Sequence, residues 1–121
     1  MRRGPADQGG VLSTFFINNG ESRNGDSVPA GDYDAREAVA VWHELFTGVW
    51  EPLPEHDVFE LPEGLVAQLV KADPARMHDV ALTWAPQADM GFHEAFAHLS
   101  ALSGLARTAV SRAHGVYLEI T

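Results

Sequence analysis

The run His93-Glu94-Ala95-Phe96-Ala97-His98 places two imidazoles and a carboxylate within six residues, the groups a metal-dependent hydrolase would use. A zinc helix needs its two histidines at i and i+4, so that both reach one ion while the intervening Glu acts as base. Here they stand at i and i+5, about 140° apart around a helix of 3.6 residues per turn. The spacing therefore favours an ordinary amphipathic helix. A metal-dependent hydrolase built on His93, Glu94 and His98 with distant groups is the alternative reading.

The other motifs of catalysis and ligand binding fail on spacing or composition. His43, His56, His78 and His114 are scattered, and the pairs His43-Glu44 and His78-Asp79 are chain neighbours, which do not face each other on a helix. The glycines at 20, 25 and 31 match neither the dinucleotide fingerprint nor the P-loop, and no serine sits in Gly-x-Ser-x-Gly. Residues 18–32 offer oxygen ligands, but no Glu falls at the twelfth position of a calcium loop with Gly20 or Gly25 at the sixth. Without cysteine, thiolate metal sites, disulfides and cysteine nucleophiles are excluded. No catalytic residue, metal ligand or cofactor is assigned.

Charge is the more informative signal. Of 17 acids and 8 bases, nine acids and only Arg36 fall within residues 32–63, a local balance of -8 out of a net -9. Such a field repels nucleic-acid phosphates and anionic lipid, and attracts basic partners. Trp50 lies in this segment, after a Gly-Val turn and before Glu51-Pro52, where an exposed indole would stand beside carboxylates. Aromatic anchors in a polar rim are characteristic of binding surfaces. Glu44, Trp50, Glu51, Glu55 and Asp57 are the candidate binding residues. Trp42 and Trp84 lie on apolar faces and read as core, each with its indole N–H satisfied.

The elements that must position these groups can be read in order. Residues 1–10, rich in Gly, Pro and charge, read as a flexible leader, and residues 11–121 as one globular domain. Residues 11–17 form a strand candidate, followed by a polar loop to Gly31. Asp34-Ala35-Arg36-Glu37 has capping-box spacing and opens a helix to about Phe46 that Gly48 ends. Residues 57–61 are a strand candidate, Pro62 opens a second helix, and Asp73-Pro74 opens a third that Pro86 breaks.

In the last helix Phe92, Phe96, Leu99, Leu102, Ala106, Ala109, Val110 and Ala113 recur at helical steps, opposite Glu94, Ser100, Ser103, Arg107 and Ser111. Gly115 is the expected left-handed stop, and residues 116–120 alternate as a strand. The irregular order implies an α+β domain: a small sheet, its first and last strands paired, against about four helices. A mainly helical bundle with incidental strands is the alternative.

The runs Gly31-Asp32-Tyr33-Asp34-Ala35-Arg36-Glu37-Ala38 and Trp42-His43-Glu44-Leu45-Phe46-Thr47-Gly48, with Asp73-Pro74-Ala75-Arg76, resemble small actinobacterial α+β proteins of unknown function. The likeness covers roughly residues 33–121. It rests on caps and core positions, so it implies a shared fold and carries over no catalytic residue. In charge and size the chain is also similar to immunity proteins that neutralise toxins.

The sequence thus points to an acidic, cytoplasmic protein-interaction module with a basic protein partner and neither nucleic acid nor membrane as ligand. A homo-oligomer whose apolar faces cover each other is a further reading.

Overall fold

A computed structural model describes residues 13–18 and 23–120, and the leader expected at residues 1–10 lies outside them. The elements run β1 (Thr14–Asn18), β2 (Arg23–Pro29), α1 (Ala35–Thr47), β3 (Val58–Glu60), α2 (Glu63–Lys71), α3 (Pro74–Gln87), α4 (Phe92–Ser111) and β4 (Gly115–Glu119). The strands form one antiparallel sheet in the order β2-β1-β4-β3, so the first and last strands pair as expected. This is an α+β fold, with four helices and the sheet sharing one apolar core.

Strand β1 is central because its side chains tolerate burial on both faces. Phe15 and Ile17 are fully buried in the core shared with the helices, whereas Phe16 stacks on Tyr117 of β4 with centroids 5.9 Å apart. Leu118 and Val116 continue the core face from β4, and Phe59 does so from β3.

Strand β2 corrects the reading of residues 18–31 as one polar loop. Arg-Asn-Gly-Asp-Ser-Val-Pro has little β propensity, yet it pairs with β1 from Thr14↔Pro29 to Asn18↔Arg23, with a register shift between Phe16 and Asn18. An edge strand borrows its order from the aromatic strand beside it, and Pro29 is tolerated at its end, where a missing N–H costs little.

Local chemistry sets the helix ends. Asp34 and Asp73 cap α1 and α3 through side-chain bonds to Glu37 N (3.1 Å) and Arg76 N (2.9 Å). Gly48, at φ 80°, closes α1, while Pro62 is the N-cap of α2 rather than its first helical residue. Pro86 does not break α3. It lies within the last turn, where only one backbone bond is forfeited, and the helix ends at Gln87, after which the chain turns away at the left-handed Asp89 (φ 55°), with Asp89 N bonded to Pro86 O and Met90 N to Ala85 O.

The end of α4 repeats that pattern. Ala113 N donates to Val110 O and His114 N to Ala109 O, and the left-handed residue is Ala113 (φ 59°), not Gly115. Gly115 already belongs to β4. A Cβ there would stand 2.5 Å from Glu60 Oε2, so its lack of a side chain makes room for a cross-strand neighbour.

Helix α4 lies between the sheet and helices α2 and α3, so more of it is covered than one stripe. Its buried residues are Ala95, Leu99, Leu102, Ser103, Leu105, Ala106 and Ala109. Ser103, expected on the polar side, is instead buried against α2 and donates to Leu69 O at 2.7 Å. Val110 and Ala113, expected inside, are exposed.

Carbonyls at two helix ends are thereby satisfied from neighbouring helices. Arg76 of α3 donates to Leu45 O and Phe46 O at the end of α1, and Ser103 and Arg107 of α4 reach Leu69 O and Val70 O at the end of α2.

Candidate functional site

Beyond α1 the chain doubles back along the helix, and two side chains fix that return. His43, 5% exposed, engages Val49 O through Nδ1 at 2.8 Å. Thr47 Oγ1 donates to His43 O and accepts from Val49 N. These bonds hold Val49 against the end of α1 and turn the next residue, Trp50, outward, where it is 56% exposed.

The indole borders a groove of about 350 Å³ whose other walls are Asp34, Arg36, Glu37, Ala40, Pro52 and Leu53. Its floor is the small Ala40 and its rim carries two carboxylates. The single cation of this segment is tied down: Arg36 Nη2 donates to His56 O at 2.7 Å, and its guanidinium lies over the Phe59 ring, 5.8 Å from the centroid. Arg36 thereby anchors the segment before β3 to α1.

The five candidate residues are all exposed, but the structure does not gather them all in the groove. Trp50 lines it. Glu51 stands next along the chain, with Oε1 3.8 Å from His43 Nε2. Glu44 is two turns from Glu37 on α1, hence on a neighbouring part of the same face. Glu55 and Asp57 flank His56, whose carbonyl Arg36 holds, and Asp57 O accepts from Ile120 N at 2.6 Å. Asp34 and Glu37, the acids that do border the groove, stand in the sequence as the capping pair of α1 and among the nine acids of residues 32–63, and neither reading singles them out as groove walls.

The residues of the hydrolase reading diverge. His93 and Glu94 are exposed, whereas His98 points inward and hydrogen-bonds the Tyr33 hydroxyl through Nε2. Among the described residues, no three His, Asp or Glu side chains come together in a way that could hold a metal ion.

His98 instead completes an aromatic cluster with Phe15, Tyr33, Trp42 and Trp84, in which Trp42 and Trp84 meet edge to face at 4.9 Å. Burial disfavours charge on both polar members. It lowers the His98 pKa to about 4 and raises that of Tyr33 well above the usual phenol value, against a smaller opposing effect of the Gly31 backbone. A neutral imidazole here is a hydrogen-bonding core group. The Trp42 indole N–H, expected to be satisfied, is buried among these rings with no hydrogen-bond partner among the described residues.

Among the described residues no helix is long and apolar enough to cross a membrane. No family model matches this chain, and no curated protein and no solved structure matches it either.

Proposed function

We propose that this protein is an acidic binding module that docks a basic segment of a partner protein on the Trp50 groove, in the manner of immunity-like recognition. The observation that carries the reading is the half-exposed Trp50 indole in a groove rimmed by Asp34 and Glu37, within a segment of local charge -8. An exposed indole among carboxylates suits an arginine or lysine side chain, which can lie over the ring while its head group meets the acids. Glu44, Glu51, Glu55 and Asp57 extend the negative field around this point and steer a basic partner toward it. The cysteine-free chain fits a reducing compartment, and the module acts in the cytoplasm.

Capture from native cell extract tests this, using the wild-type chain beside Trp50→Ala and the triple variant Glu51→Gln, Glu55→Gln, Asp57→Asn. The expected result is a basic protein retained by the wild type, released by rising salt, and lost or strongly weakened with both variants. Retention of no basic protein, or equal retention by all three chains, would overturn the reading.

A further inference from the structure

A second surface, on α2, has a different character from the acidic groove and does not depend on it. Glu63, Val66, Ala67, Val70 and Lys71 share one side of α2 and, with Val110 of α4, line a groove of about 280 Å³. Val110 is 51% exposed, and Val66 and Val70 are only partly buried. Glu63 and Lys71 are exposed, and neither forms an ion pair among the described residues. One acid and one base balance this face, so it does not select a basic partner as the acidic segment does. Its pattern is complementary to itself.

Ala67 is four residues from Glu63 and four from Lys71, about 6 Å along the axis in each direction. When a second α2 packs antiparallel across a two-fold axis at Ala67, Glu63 of each copy meets Lys71 of the other. The small Ala67 side chain lets the two axes approach along the Glu63-Ala67-Lys71 ridge, and Val66 and Val70, which share one flank of that ridge, meet their counterparts on the same side of the contact. A parallel arrangement would oppose like charges at both ends.

We propose that α2 is a self-association face whose occupant is a second copy of this chain, held antiparallel about Ala67 by reciprocal Glu63–Lys71 pairs beside a valine cluster. Such an interface is isologous, as a two-fold dimer requires. A nine-residue helix with one valine from α4 gives a contact smaller than the roughly 1,200–2,000 Å² of stable complexes, and the shared net charge opposes it. The dimer is therefore weak and concentration-dependent.

Lys71 is the chain's one lysine, which makes the test sharp. Zero-length carbodiimide coupling of the full chain is expected to join Lys71 to Glu63 between copies. Within one helix these residues are about 12 Å apart along the axis and cannot be coupled directly. In sedimentation velocity, the wild type is expected to shift toward dimer with concentration, while Glu63→Lys alone and Lys71→Glu alone stay monomeric at the same concentrations. Mixing the two variants should restore a dimer, because one then presents two lysines and the other two glutamates. Circular dichroism establishes that each variant is folded, and if either is not, the wild-type cross-link map decides. A wild type that stays monomeric, a dimer indifferent to either reversal, or intermolecular cross-links that join Lys71 to other carboxylates would overturn the proposal.

Discussion

Tyr33 Oη and His98 Nε2 share a hydrogen bond although 65 residues separate them in the chain. Tyr33 lies just before α1 and His98 in the middle of α4, so this bond joins the two helices through the aromatic cluster around Trp42 and Trp84. Helix α1, which bears Glu37 and Glu44, is seated on this cluster through Trp42.

The His98 environment gives stability a defined pH dependence. An unfolded histidine titrates near 6.5, whereas burial lowers the folded group to about 4. As pH falls through about 6.5, the unfolded chain takes up a proton that the native chain refuses until about pH 4, so stability drops across that window. His98→Gln keeps a hydrogen-bonding side chain and cannot titrate. Urea unfolding across a pH series is expected to show a smaller loss between pH 6.5 and 4 for this variant than for the wild type. Parallel profiles would reject the assignment.

The end of α4 yields a paired expectation. Ala113 holds φ 59°, a conformation costing an L-residue about 1–2 kcal/mol, part of which a glycine returns through the greater freedom of its unfolded state. Ala113→Gly should stabilise by about 0.5–1 kcal/mol. Gly115→Ala should cost little, because Glu60, whose carboxylate is the nearest obstacle, is exposed and can swing aside. Thermal midpoints of the two variants check both signs; a strongly destabilised Gly115→Ala would mean that the strand cannot accommodate the added Cβ.

Much of the architecture was legible because it rests on local chemistry. Asp34 and Asp73 announce their helices through side-chain caps, and the apolar alternation around Phe15 and Leu118 marks the strands that pair. What escaped detection depends on partners remote in sequence. Residues 23–29 are a strand because β1 lies alongside; Ser103 is inside because α2 covers it; Ala113 is left-handed because the turn into β4 demands it. In the site, the exposure of Trp50 followed from its irregular acidic context. The walls Asp34, Glu37 and Ala40 emerged only when the chain folded back along α1.

Ser103 and Arg107 both reach carbonyls at the end of α2, but burial separates their expected effects. Ser103 Oγ donates to Leu69 O at 2.7 Å in a buried setting, so Ser103→Ala leaves an acceptor unsatisfied and should cost about 1–2 kcal/mol. The Arg107 bond to Val70 O is exposed and 3.4 Å long, and water replaces it readily. Arg107→Ala is expected to stay within about 0.5 kcal/mol of the wild type. Denaturant midpoints measured in parallel distinguish the two, and equal losses would contradict this difference in burial.

The acidic setting of Trp50 can be tested without a partner. Trp42 and Trp84 are 0% and 2% exposed, so a collisional quencher in water reaches only Trp50. The net charge of -9 and the carboxylates of residues 32–63 concentrate cations there and exclude anions. Relative to each ion's effect on a free tryptophan amide, caesium should therefore quench more strongly than iodide at low ionic strength. The difference should shrink toward about 1 M salt, where the screening length is about 3 Å. Trp50→Phe should abolish the quenching by both ions. An iodide effect equal to that of caesium at low salt would remove the electrostatic basis for a basic partner, and quenching that persists in the variant would place the exposed indole elsewhere.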